Sequence, residues 1–238
     1  MSSTTNRITQ LLGSRGEHYE NLIVAGCMFI ITAGYEYISY LLLPGFQLNW
    51  FEFIGTWSGL TTVWLARTEN ILCWPWGIVS AASLGYFFAQ IGLMGQQWLN
   101  LGYFLIIQIY AWPYWAFGGK NATELPVTRL TGAGRFWTSV ALVAGIGLVY
   151  SVISLIAPDS HYPILDATVV SSSVVAQWLL GRKKIESWYL WLGPVNVLSI
   201  ALFLLSGAYV VMALYIAFLI HAVFAIRSWR QTLVVTHV

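Results

Sequence analysis

Tryptophan and the neutral amides are the residue types here whose spacing could do chemistry. "ILCWPWG" (71–77) and "IESWYLWLG" (185–193) each place Trp residues at the start of an apolar run. An indole offers an electron-rich face for an aromatic ring, and a better one for a cationic ring. Asn196 follows Trp188 by eight residues and Trp191 by five. On an α-helix those steps put Asn196 about 80° from Trp188 and about 140° from Trp191. Trp188 and Asn196 can then line one cavity, with Trp191 pointing elsewhere. More amides sit at Gln96, Gln97, Asn100, Gln108 and Gln177. An amide can pair with a carboxamide or a sugar hydroxyl. It can equally join helix to helix, and both readings stand.

Glu36, Glu52, Asp166 and His221 lie in or at the edge of apolar runs. A charge at a bilayer centre costs roughly 2.5–3.5 kcal/mol on the insertion scale, so such residues usually mark a cavity. Glu52 and Asp166 stand near the starts of their runs, where a carboxylate also suits the helix dipole. Glu36 is expected to pack against a neighbour, and His221 to be a satisfied bundle residue. No Lys or Arg lies inside any apolar run, whereas a phosphate would want one. The chemistry points to an unphosphorylated, ring-bearing polar molecule: a nucleoside-like compound or a vitamin. Cys27 and Cys73 read as small buried hydrophobes. No Cys/His cluster, H-E-x-x-H or clear serine/histidine pair is present. That argues against an intramembrane enzyme and against a metal or cofactor.

The elements that must position these residues are membrane helices. Of 238 residues, 58 % are hydrophobic and 8 % charged, against about a quarter charged in soluble domains. A net charge of +2 is too small to suggest nucleic acid. At about 20 apolar residues per span, eight windows qualify: 22–43, 50–66, 71–91, 98–117, 136–157, 162–180, 187–205 and 208–226. Some twenty polar residues, among them Glu17, His18 and Glu20, precede the first, which therefore reads as a retained helix rather than a signal peptide. With eight spans, all eleven Lys and Arg fall on one side. Positive charge marks the cytoplasm, so both termini are expected there, as is the loop with the Asn121 sequon. Trp64, Trp137 and Trp229, close to basic residues, read as interfacial anchors.

At an offset of 114 residues the sequence meets itself. Trp64 falls on Trp178, Trp74 on Trp188, Trp115 on Trp229, and Glu52 on Asp166. The expected organisation is a cytoplasmic segment (1–21), an extra span (22–43), a three-helix repeat (50–117), a linker helix (136–157), a second repeat (162–226) and a cytoplasmic tail (227–238). Such 3+1+3 parallel repeats imply transport, with substrate near the midplane between repeats. A receptor or structural protein lacks support, because no soluble signalling domain is present.

"EFIGTWSGLTTVWLARTENILCWPWGIVS", "YAWPYW" and "LDATVVSSSVVAQWLLGRKKIESWYLWLGPVNVLSI" resemble the PnuC family of vitamin transporters. The resemblance covers about 50–230. It implies a bacterial inner-membrane, SWEET-like, homotrimeric carrier of nicotinamide riboside, with thiamine and riboflavin as substrates of relatives. It also implies facilitated diffusion, with trapping by a separate cytoplasmic kinase. Carried onto this chain, the substrate-binding candidates are Trp188, Asn196, Gln97, Asn100, Gln108, Asn70, Trp74, Gln177, Glu52, Asp166 and Tyr110. The stretch "GLMGQQWLN", Pro113 and the Gly193-Pro194 step depart from the family pattern. Pro194 is expected to kink its helix.

Overall fold

An apolar run in a bilayer must satisfy its backbone amides internally, which favours helix. The computed structural model describes residues 3–42, 45–90, 97–156, 162–205 and 209–233, and they form helices joined by turns and, at 118–131, by a longer loop. They fall into two compact units, Met1–Leu125 and Pro126–Val238.

In the first unit α1 spans Ser3–Leu12, α2 Arg15–Leu42, α3 Trp50–Arg67 and α4 Cys73–Gln90. A π-helical turn, Leu99–Phe104, leads into α5, Leu105–Phe117. α4 packs between α3 and α5, and α2 packs on α3. The close approach of α3 and α4 needs Gly55, since a Cβ there would stand 2.6 Å from Leu84 Cγ. Ser80 Oγ donates to the Gly55 carbonyl at 2.8 Å across the same contact.

In the second unit α6 spans Gly132–Ile156, α7 Pro163–Gly181 and α8 Glu186–Leu190. A second π turn, Trp191–Val197, joins α8 to α9, Leu198–Leu205, and α10 spans Tyr209–Thr232. α7 packs on α6 and on the α8–π segment, and that segment also packs on α10.

Positions 43, 91, 157 and 208 of the sequence windows lie outside the described residues; in what is described, three features stand out. The stretch 1–21 carries helix: α1 precedes the first span, and α2 begins at Arg15. Ser14 and Glu17 cap α2 reciprocally, Glu17 Oε2 accepting the Ser14 amide and Ser14 Oγ the Glu17 amide. Second, two of the windows, 98–117 and 187–205, contain π turns. Pro194 has no N–H to give the helix ladder, and it lies inside Trp191–Val197. Third, among the described residues three stretches are long and apolar enough to span by length and composition: Arg7–Leu42, Gly132–Ile156 and Pro163–Gly181. α3 carries Gly, Ser and Thr and α4 Gly, Ala and Ser, the small and polar types that pack helices together in membranes.

The turn after α3 recurs after α7, bond for bond, 114 positions on. Asn70 N–H donates to Leu65 O and Lys184 N–H to Leu179 O. Three further backbone bonds match: Glu69 to Ala66 and Lys183 to Leu180, Cys73 to Asn70 and Ser187 to Lys184, Trp74 to Ile71 and Trp188 to Ile185. Glu69 and Lys183 both adopt positive φ, 61° and 47°.

Candidate functional site

Each matched turn delivers a tryptophan into the first turn of the next helix. In the first unit Trp74 meets Trp115 edge to face, centroids 4.9 Å apart and planes at 88°. In the second unit Trp188 meets Trp229 the same way, at 5.6 Å and 86°. Such T-shaped pairs suit the ring quadrupoles. All four rings are buried. Trp229 is therefore not the interfacial anchor its basic neighbours suggested; its offset match to Trp115 was the better signal. Trp137, by contrast, is exposed. Neither Trp74 Nε1 nor Trp188 Nε1 has a hydrogen-bond partner among the described residues. His221 lies beside the second pair, its ring centroid 6.0 Å from that of Trp188.

Gln108 faces α4 from α5. Its Nε2 donates to the Gly77 carbonyl at 2.8 Å, while its buried Oε1 has no partner among the described residues. A Cβ at Gly77 would fall 1.3 Å from that oxygen, so only glycine admits the amide. Trp74 and Gly77 are three residues apart on α4, and Gln108 and Trp115 seven apart on α5, so each pair shares a face. The structure brings Trp74 and Gln108 to one seam; Gly77 and Trp115 complete it, and the sequence reading had not placed them there.

Asn100 and Asn196 are both buried, and both sit inside π turns. In the first, the Leu105 N–H reaches back five residues to the Asn100 carbonyl. Isolated π turns concentrate at functional sites. A π turn takes up an extra residue and so slips the following chain back by up to about 100° of helix phase. An α-helix would leave about 80° between Trp188 and Asn196, and the π turn that holds Asn196 reduces that angle.

The other candidates lie apart. Asn70 is buried, but its Nδ2 donates to Glu17 O and Glu20 Oε2 and its Oδ1 accepts the Leu72 amide. Tyr110 is partly exposed and stacks on Tyr114 at 5.5 Å, two residues round the helix from Gln108. Gln97, half-buried, stands just before the first π turn; Gln96 lies outside the described residues. Gln177 is buried on α7. Glu52 and Asp166 are half-buried in the first turns of α3 and α7, where the helix dipole favours a carboxylate. Glu36 is buried within α2. Outside the spans, burial pushes the Lys184 ammonium below its ordinary value, Glu186 opposing and Arg182 adding to the shift. Its Nζ donates to Thr128 Oγ1 at 2.8 Å.

Among the described residues no His, Cys, Asp and Glu converge as a metal site. The two clusters instead combine aromatic faces with amide donors and acceptors and carry no Lys or Arg. That equipment suits a flat ring bearing hydrogen-bonding groups. A family model described as "Nicotinamide mononucleotide transporter" matches residues 49–231. The chain belongs to that family, the PnuC transporters. It is 29 % identical over 211 residues to the nicotinamide riboside transporter PnuC of Escherichia coli, covering 78 % of this chain and 87 % of that one. It is 24 % identical over 187 residues to the riboflavin/roseoflavin transporter RibM of Streptomyces davaonensis, covering 77 % and 85 %. Its fold matches the crystal structure of the vitamin B3 transporter PnuC with a TM-score of 0.67 at 20 % identity, over 92 % of this chain and 98 % of that chain. These relatives are transporters, not enzymes, and the PnuC family is a membrane family.

Proposed function

We propose that this PnuC-family chain carries nicotinamide riboside across the inner membrane by facilitated diffusion. A separate cytoplasmic kinase then phosphorylates the riboside and prevents its return. The observation that carries the reading is in the second unit: Trp188, whose indole N–H has no acceptor among the described residues, and Asn196, buried in a π turn beyond it. A pyridinium ring suits the indole face, and the carboxamide or ribose suits Asn196. Gln108 and Trp74 supply the corresponding equipment in the first unit, and Gln97, Asn100, Gln177, Glu52 and Asp166 remain candidates around the path. The family description names the mononucleotide, but the spans offer no Lys or Arg for its phosphate. Riboflavin is the second reading, favoured by the similarity to RibM. Thiamine, a cationic aromatic, is the remaining alternative within the class.

The architecture proposed with it has eight spans: an extra helix, then a SWEET-like 3+1+3 arrangement of two parallel repeats. The bond-for-bond match of the two turns and the two Trp pairs at one offset support it. Segregation of the basic residues supports cytoplasmic termini. A homotrimer is part of the same proposal; α6, which contributes no buried residue, leaves an apolar helix free for lipid or for another copy.

The test is exchange of labelled nicotinamide riboside in liposomes holding the purified protein and no kinase. Label is expected to equilibrate at the same rate with and without proton and sodium ionophores. Collapse of uptake on adding either ionophore would refute facilitated diffusion.

A further inference from the structure

The turn between α3 and α4 is held from outside the helices it joins. Ile71 donates its N–H to Glu17 Oε1 at 3.2 Å. Asn70 Nδ2 donates to Glu17 O at 3.0 Å and to Glu20 Oε2 at 2.9 Å. Asn70 and Ile71 are both buried, so these donors have no recourse to water. On α4, Trp76 Nε1 donates to Asn21 Oδ1. On α5, Trp112 Nε1 donates to Leu11 O at 2.8 Å. Gly13, at φ +91°, lets the segment bend against Ile71. Residues 11–21 therefore reach the α3–α4 turn, α4 and α5 together.

The second unit presents the same donors to a different holder. At the matching positions Ile185 N–H donates to Thr128 O at 3.1 Å, and Lys184 Nζ donates to Thr128 Oγ1 at 2.8 Å. Its third helix is tied internally, Arg230 donating to Tyr189 OH at 3.0 and 3.3 Å. The donor pattern repeats and the acceptor does not. In the second unit the acceptor is the loop ahead of α6. In the first it is a segment lying wholly before the residues matched to the family, 49–231.

We propose that residues 11–21 are a clip closing that end of the first unit, and that Glu17 and Glu20 are positioning residues for transport. They act through Asn70 and Ile71 on the start of α4, and so on Trp74. The clip rests on the transport reading, but not on which vitamin is carried. A carboxylate accepting N–H bonds from a turn holds it more firmly than a neutral acceptor. Removing both carboxylates takes the acceptor from the buried Ile71 N–H and leaves Asn70 Nδ2 with the Glu17 carbonyl alone. The affected turn, with Glu69 at positive φ, then loses its outer holds.

The test uses the full chain and three variants: Glu17→Ala/Glu20→Ala, Glu20→Gln and Trp112→Phe. Amide hydrogen exchange reads the clip without reference to substrate. Exchange at 70–72 is expected to rise at least about tenfold in the double variant and to stay near the parent rate in Glu20→Gln, which keeps an acceptor. Maximal riboside exchange in liposomes is expected to fall at least about fivefold in the double variant, with Kd held within about twofold. Unchanged amide exchange would overturn the clip. Unchanged transport would overturn the positioning role, and an affinity falling in step with the rate would put Glu17 and Glu20 in the binding site instead. Should the double variant fail to fold, Trp112→Phe, which loses one bond of the clip, carries the same comparisons at smaller size. If the parent protein neither binds nor carries the riboside, the substrate reading fails, and hydrogen exchange still decides the clip.

Discussion

A buried indole N–H without an acceptor is costly, on the order of 1–3 kcal/mol. Among the described residues Trp74 and Trp188 are two such indoles, at positions 114 apart. A ligand carbonyl or hydroxyl accepting from either indole would relieve that cost. Trp188→Phe keeps an aromatic face and deletes the donor. It is expected to weaken riboside binding about tenfold, the worth of one hydrogen bond, and Trp188→Ala to weaken it further. Titration calorimetry measures both, and unchanged affinity in Trp188→Ala would remove the residue from the site. Lys184 makes a prediction in pH. Burial lowers its folded value below the ordinary 10.5. The unfolded chain therefore binds the proton more readily, and stability rises as pH climbs through the window just below that value. Lys184→Met is expected to flatten the alkaline rise in thermal unfolding temperature; parallel curves would contradict the shift.

At the scale of the element, hydropathy made the helices legible, because about 20 apolar residues are needed wherever a chain crosses a bilayer. The recurrence of the turn and of its Trp pair was legible because three Trp matches at one offset carry information. The π turns were only half legible. Pro194 announces the second, but Leu99–Phe104 contains no proline and its sequence marks nothing. The helical N-terminal segment went unread although Ser14 and Glu17 spell a capping box. Trp229 was misplaced because nearby Arg residues suggested an interface, and sequence neighbours do not reveal which face of a helix is buried. Asn70 lay in the right stretch, but its amide is committed to Glu17 and Glu20, partners some fifty residues away. The second π turn is itself testable. Pro194→Ala restores an N–H to the ladder and lets the helix return to α-form, which rotates Asn196 away from Trp188. Riboside affinity is expected to fall about tenfold while thermal stability holds or rises. Affinity equal to the parent's would mean that the π turn does not set the site.

At the scale of the whole molecule, membership in the PnuC transporters rests on the match over 49–231, and the fold rests on its likeness to a solved PnuC structure. The substrate rests on chemistry: indole faces, buried amides and spans without Lys or Arg. Riboside and mononucleotide differ by one phosphate, and the riboside and riboflavin by the size and charge of the ring, so a direct comparison separates them. The decisive measurement is calorimetric titration of the purified protein with nicotinamide riboside, nicotinamide mononucleotide, riboflavin and thiamine in parallel. Saturable binding of nicotinamide riboside, at least about a hundredfold (2.7 kcal/mol) tighter than the other three, is the predicted result. Preferential binding of riboflavin, or of the mononucleotide, would contradict the account of the site.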